Sequence, residues 1–321
     1  MSTLVFMEHH GDELGKGALG VLAKAAELDD EVAAVSVGGT EVRALASEAG
    51  RFGATTVYVA EDDSLDPPLP QPRVDVVAKV VRDGGYDTVL FSNSVLAADV
   101  AGGLAARLDA GLNWDLTDIV RSGGDLIGKR PALSDSLLVD VGWRSTPRIA
   151  LCRAGSFQAV EGGGQPKVVD VPVELESHSQ AAKIVDQVIQ AEGGPSLESA
   201  EVIVTGGMGL GGPENFSLAD DLAGVLGGVV GATRAVVYAG WSSHSAQIGQ
   251  TGKTVTPKLY VALGVSGAVQ HKVGMQNSET IVAINKDPRA PIFEFCDLAV
   301  VADVHTIVPQ LVELLRHRKS S

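Results

Sequence analysis

Cysteine is almost missing from this chain: Cys152 and Cys296 stand far apart, with no CxxC pair and no cysteine–histidine cluster. That excludes a disulfide framework, a structural zinc site and a cysteine-held iron–sulfur cluster. Aromatic residues are also scarce, at 4%, while glycine is abundant, at 38 residues. This balance suits α/β packing with many tight strand-to-helix turns. Basic residues fall short of acidic ones, 25 against 40, for a net charge of −15. A general binder of nucleic acid or anionic membrane needs basic patches, so the charge argues against both classes, and the acidity reads as solubility. No apolar run reaches membrane-spanning length, which argues against membrane insertion. The opening Met-Ser-Thr and the strand-like Leu4–Met7 lack a signal or transit pattern. The expectation is a soluble cytoplasmic protein.

A chain of 321 residues defaults to two domains, each large enough to bury a core. In the first half, Thr3–Met7, Val32–Val37, Thr55–Val59 and Thr88–Phe91 read as short buried strands. Helical patterns alternate with them at Gly17–Glu27, Thr40–Gly50, Val74–Arg82 and Val95–Leu108. Such alternation means βαβ units and a parallel sheet with right-handed crossovers. After Asp109 the runs at Asp125–Lys129, Ser136–Val141, Arg148–Arg153 and Val168–Val173 suggest antiparallel strands closing the sheet edge. Glu8-His9-His10-Gly11-Asp12 is read as a polar strand-end turn, because adjacent histidines on an extended chain point to opposite faces. Ser92-Asn93-Ser94 reads as a helix cap.

The Gly/Pro/Ser break from Ala191 to Leu197 marks the domain boundary. The second domain opens with strand Val202–Thr205 and then GGMGLGG, where Gly207, Gly209 and Gly212 satisfy G-x-G-x-x-G before a helical segment from Glu214. Phosphate at that helix start is plausible. The acidic residue that would hold an NAD ribose about 20 positions on is missing, which disfavours an NAD dehydrogenase. A strand Val229–Thr233 leaves Arg234 at its carboxyl end. Gly252-Lys253-Thr254 imitates the end of a P-loop, but the pattern requires glycine where Gln247 stands. Strands Lys258–Leu263 and Thr280–Ile284 end in Gly264–Gly267 and Asn285-Lys286-Asp287. Between them Ser266–Met275 is a short helix carrying Gln270 and His271. A last strand, Leu298–Ala302, delivers Asp303, and helix Ile307–Arg316 follows. Ligands of open α/β sheets bind outside the carboxyl ends of strands. Hydrogen-bonding side chains gathered there, without a nucleophile elbow or paired carboxylates, suit recognition of a dinucleotide.

GQTGK at 249–253, SGAVQH at 266–271, AINKD at 283–287 and the Ala290-Pro291-Ile292-Phe293 run, in that order, resemble the electron transfer flavoprotein alpha subunit. The resemblance covers the second domain from about 200 to 317 and the first more loosely. It implies an α/β protein of two domains. Residues 1–193 would form a nucleotide-binding-like scaffold and subunit-contact domain, and residues 194–321 a doubly wound parallel-sheet FAD-binding domain. By the same resemblance, FAD is held by Thr233, Arg234, Ile248, Gly249, Gln250, Thr251, Ser266, Gly267, Ala268, Val269, Gln270, His271, Asn285, Asp303 and Val304. Residue type then assigns Thr251 to flavin N5, Gln250 to a ring carbonyl, His271 as donor toward N1/O2 and Arg234 to charge stabilisation. Ser266 and Gly267 suit the pyrophosphate, and Asn285 and Asp303 the adenosine end.

The implied protein is an electron carrier, not an enzyme in the usual sense. Its partners would be a beta subunit in a heterodimer, donor flavin dehydrogenases such as the acyl-CoA dehydrogenases of fatty acid β-oxidation, and a quinone oxidoreductase as acceptor. Two positions depart from the family pattern: Met208 stands where GGRG is usual, and Tyr238 where aspartate is usual. Those departures keep open a regulatory nucleotide-binding or scaffold protein that has lost electron transfer. An electron-bifurcating assembly with a second flavin is also open. A thiamine-enzyme or deacetylase-like domain shares the α/β form but needs acid/base or metal groups that this chain does not display.

Overall fold

The structure is a computed structural model that describes residues 2–11, 13–133, 135, 137–186, 196–197 and 200–320. The chain divides into two compact units, Met1–Val188 and Ile189–Ser321. The expected boundary at 193/194 lies outside the described residues.

The first unit is built on a seven-stranded sheet in the order Lys167–Asp170, Thr56–Glu61, Val32–Gly38, Thr3–Met7, Thr88–Ser92, Arg148–Cys152, Leu112–Leu116. Every neighbour pair in it is parallel. Side chains of a strand alternate between faces, so Thr3–Met7 feeds two cores. Val5 and Met7 join helix Lys16–Leu28 on one side, whereas Leu4 and Phe6 join helices Pro70–Gly84 and Val95–Leu108 on the other. Burial on both faces is why these strands read as unbroken apolar runs. The helix ends follow local chemistry. Ser94 Oγ caps the last of them by accepting from the Ala97 amide at 2.9 Å, and Gly85, at φ 64°, closes Pro70–Gly84.

Two expected antiparallel strands are parallel instead. Arg148–Cys152 lies inside the main sheet between Thr88–Ser92 and Leu112–Leu116, and Lys167–Asp170 pairs with Thr56–Glu61 at the far edge. The antiparallel pairing lies outside that sheet, in a separate three-stranded sheet of Asp118–Ser122, Asp125–Ala132 and Leu137–Val141 and in a two-stranded hairpin of His9–His10 with Glu13–Leu14, where a plain turn was expected. The three-stranded meander carries the chain out and back between two parallel strands, so Arg148–Cys152 re-enters in the parallel sense. Ser94 also donates to the Glu8 carboxylate. A carboxylate thus already sits at the helix start where an anion might have been expected.

The second unit is a six-stranded parallel sheet in the order Gln247–Ile248, Val229–Thr233, Val202–Gly206, Leu259–Leu263, Ile281–Asn285, Leu298–Val301. It is doubly wound. Val204, Val261 and Leu263 pack against helices Ser217–Leu226 and Val304–Ser320, while Ile203, Tyr260 and Ala262 fill the opposite core with Met275 and Ile292. Chain order runs outward one way from Val202–Gly206 and the other way from Leu259–Leu263, so the direction reverses between these two strands. Such a reversal opens a crevice at the strands' carboxyl ends.

Glycine makes the crevice possible. The Gly209 amide donates to the Gly264 carbonyl at 2.9 Å. A Cβ on Gly207 would meet the Gly264 oxygen at 2.3 Å, and one on Gly264, at φ +61°, would meet the Gly209 backbone at 2.7 Å. Among the described residues no helix is long and apolar enough to cross a membrane.

Gly264→Val combines a left-handed backbone with a backbone collision. It is expected to lower the unfolding free energy by at least about 2 kcal/mol in urea titrations. An unchanged midpoint would show that the loop contact is dispensable.

Candidate functional site

A cavity of about 650 Å³ occupies the crevice where strand direction reverses. Its walls come from each strand end in turn. The loop after Val202–Gly206 supplies Gly207, Met208 and Gly209; the end of Val229–Thr233 supplies Thr233, Arg234, Ala235 and Tyr238. The edge strand Gln247–Ile248 and the turn after it supply Ile248, Gly249, Gln250 and Thr251. Gly264, Val265, Ser266, Ala268, Gln270 and His271 follow Leu259–Leu263, and Asn285, Asp287, Ala290 and Pro291 follow Ile281–Asn285. The edge strand was not expected. Only two residues long, it lies in what reads as a loop excursion.

Four expected contacts lie outside this wall. Gly267 turns at φ +84° and packs on Ile292, where a Cβ would meet the Ile292 amide nitrogen at 2.3 Å. Val269 is exposed on the helical turn Val269–Lys272, and Val304 is buried in the core beneath the last helix. Asp303 accepts from the His305 amide at 2.9 Å and so caps helix Val304–Ser320. That helix starts earlier than expected because Val304 already packs inward. The glycine fingerprint also differs from expectation. Short 3-10 turns at Met208–Leu210 and Pro213–Phe216 separate it from helix Ser217–Leu226, so the α-helix does not open directly from the glycines.

The polar groups of the wall are held by specific partners. Gln247, buried, donates from Nε2 to the Thr251 carbonyl at 3.0 Å and to Thr251 Oγ1 at 3.1 Å. Since Oγ1 accepts there, the threonine's own proton is left to donate. Gln247 Oε1 is buried without a partner. The Gln250 amide donates to the Gln270 carbonyl at 2.7 Å, tying the two turns together. Asn285 braces the far wall, donating from Nδ2 to the Val265 carbonyl at 2.8 Å and accepting the Asp287 amide at 3.0 Å. Arg234 is exposed and turned onto Tyr238, with its guanidinium 4.8 Å from the ring centre and Nη2 3.3 Å from the hydroxyl. A cation over an exposed tyrosine contributes about 0.5–1 kcal/mol.

His271 departs most from its expected role. It is 6% exposed, with Nδ1 3.1 Å from the Ile248 carbonyl and Nε2 2.8 Å from the Tyr260 hydroxyl. A carbonyl only accepts, so Nδ1 carries the proton and Nε2 accepts from Tyr260. The expected donation to flavin N1/O2 therefore has no free ring N–H behind it in this arrangement. Burial pushes the imidazole down to about 4, against a smaller opposing pull from the Ile248 carbonyl. Tyr260, fully buried, escaped the sequence reading because in an apolar strand it looks like core. Only its hydroxyl, which needs a buried partner, signals otherwise.

Comparison with known proteins decides the family. The profile described as the electron transfer flavoprotein domain matches residues 3–176, and that of the electron transfer flavoprotein FAD-binding domain matches residues 196–276. The electron transfer flavoprotein subunit alpha of Mycobacterium leprae is 40% identical over 319 residues, covering 98% of each chain. This chain belongs to the electron transfer flavoprotein alpha-subunit family. The subunit alpha of Thermoanaerobacterium thermosaccharolyticum is 36% identical over 323 residues, again covering 98% of each chain. Protein FixB of Clostridium saccharobutylicum is 34% identical over 315 residues, 96% of this chain and 94% of that protein. As an electron transfer flavoprotein, the chain is an electron carrier with an FAD-binding domain rather than a conventional catalyst. The cavity fits that cofactor class: glycine turns whose backbones pack too closely for side chains, one cation and several oriented donors line it.

The depressed pKa of His271 has a definite pH signature. Because the folded value lies below the ordinary 6.5, the unfolded chain binds the proton more readily. Stability from the neutral ring is therefore present in full above about pH 6.5 and lost as pH falls toward about 4, up to about 3 kcal/mol. Urea titrations should show that loss in the parent protein and a shallower slope in His271→Gln. Equal slopes would contradict a buried neutral imidazole.

Proposed function

We propose that this chain is the FAD-holding alpha subunit of a heterodimer with an electron transfer flavoprotein beta subunit. It takes electrons from flavin dehydrogenases, such as acyl-CoA dehydrogenases, and delivers them to a quinone-linked oxidoreductase. The observation that carries this reading is the convergence of Arg234, Gln250, Thr251 and Ser266 on one cavity at the reversal point of the second unit's sheet.

When bound, the flavin supplies the capacity to accept and release electrons. The chain's own residues bind and orient it. Thr251, fixed from behind by Gln247, presents a hydroxyl proton at a constant place, and the Gln250 side chain is exposed beside it. Ser266 and the turn through Gly267 and Ala268 are placed to receive the pyrophosphate, with Val269 and Gln270 continuing that turn. Asn285 acts through its brace on Val265 and Asp287, and Asp303 and Val304 act by anchoring the last helix near the adenosine end. Thr233, Ile248 and Gly249 shape the wall. Arg234 is the cation of the lining, and Tyr238 keeps it against the wall. Arg234 is exposed, so its pull on negative charge would strengthen only as a bound cofactor covers it and excludes water. Met208, 48% exposed on the same wall, adds none.

Two measurements test this. Co-purified with its beta partner, the chain should show flavin bands in the visible spectrum at one FAD per heterodimer. A colourless preparation that takes up no added FAD would refute the carrier reading and leave a nucleotide-binding or scaffold protein. Met208→Arg should raise the flavin midpoint potential by tens of millivolts, since one charge at roughly 10 Å in an effective dielectric of about 20 is worth about 1–2 kcal/mol. An unmoved potential would remove Met208 from the account.

A further inference from the structure

Beneath the cavity floor runs a buried polar line: the Ile248 carbonyl, His271, the Tyr260 hydroxyl and Thr205. Its members come from four elements, the edge strand, the turn Val269–Lys272 and the two central strands. We propose that Tyr260 is a positioning residue for His271: by donating to Nε2 or accepting from it, its hydroxyl holds the imidazole in one place whether or not the ring carries a second proton. The proposal rests on the reading that FAD occupies this cavity.

The geometry argues for it in three steps. First, Nδ1 faces only a carbonyl, at 3.1 Å, and stays protonated in either charge state. All change is therefore forced onto Nε2, whose partner is the Tyr260 hydroxyl at 2.8 Å. Second, a carbonyl there could serve only the cationic ring and an amide N–H only the neutral one. A hydroxyl both donates and accepts, so it serves both without leaving a buried group unpaired. Third, a reversed Tyr260 needs an acceptor for its own proton. The fully buried Thr205 hydroxyl lies beside the phenol and interacts with it, and a hydroxyl can accept there as well as donate. Packing alone does not require the Tyr260 hydroxyl, because phenylalanine fills the same core volume without burying one.

His271 lines the cavity, so what Tyr260 permits is felt by the cofactor. Without the hydroxyl, a cationic ring has a buried N–H with no acceptor and is disfavoured. Negative charge in the cavity then faces a neutral ring only. Tyr260→Phe in the FAD-loaded heterodimer should therefore shift the first one-electron equilibrium about tenfold against reduction, about 59 mV. The same substitution made in a His271→Leu background should change nothing further, because a residue that acts through another is non-additive with it. An unmoved potential, or an equal shift in both backgrounds, overturns the proposal.

A spectroscopic arm requires neither cofactor nor variant. The imidazole ¹⁵N spectrum of His271 in the parent protein should show a protonated Nδ1 and a hydrogen-bonded, unprotonated Nε2. The reverse pattern overturns the proposal even if Tyr260→Phe fails to fold. A parent protein that takes up no FAD refutes the carrier reading by its flavin content, while this spectrum still decides whether Tyr260 holds His271.

Discussion

The close approach of two glycine turns is the constraint on which the second unit depends. Where Gly207 and Gly209 meet Gly264, backbone touches backbone with no room for a side chain. That contact lets adjacent strands end side by side while their chains leave in opposite directions. The crevice so formed has a floor of hydrophobic core and a rim of loops. Everything placed there, from Thr251 to Asn285, is aimed by the loops that the contact aligns.

The site's electrostatics are quieter than the acidic composition suggests. Its lining carries one cation, Arg234, and one carboxylate, Asp287, together with a histidine kept neutral by burial. The excess of acidic residues lies away from this lining. Tyr238 gives Arg234 an aromatic face and a hydroxyl in place of a carboxylate. The guanidinium thus keeps its full charge for whatever enters the cavity. A carboxylate in that position would neutralise part of it.

Much of the fold was legible in the sequence because a parallel strand buried on both faces leaves a plain trace. Thr3–Met7, Val95–Leu108 and Val229–Thr233 have the bounds that periodicity predicts. Strand direction leaves no such trace. Arg148–Cys152 and Lys167–Asp170 look the same whether parallel or antiparallel, and only the path of the intervening meander decides. The edge strand Gln247–Ile248 is too short to show any period. Much of the cavity wall could be read from polar residues at strand ends, whereas the sequence does not show that Asp303 also caps a helix and that Gly267 also makes a tight turn against Ile292. Tyr260 was invisible for the opposite reason. Its ring is core while its hydroxyl holds His271, and one letter in an apolar run does not separate the two.

The edge strand has a consequence for how the molecule breathes. Gln247–Ile248 joins its neighbour through two residue pairs, with one further bridge from Ile248 to Lys253. So short a strand is a natural first place for the sheet to fray, and its amides should be among the earliest to exchange with solvent. Yet the same two residues fix Thr251 from behind and anchor His271 through a carbonyl. A cofactor resting on them draws this margin into the cooperative core, by mass action on the closed form. The weakest hem of the sheet becomes the seam that the ligand sews shut.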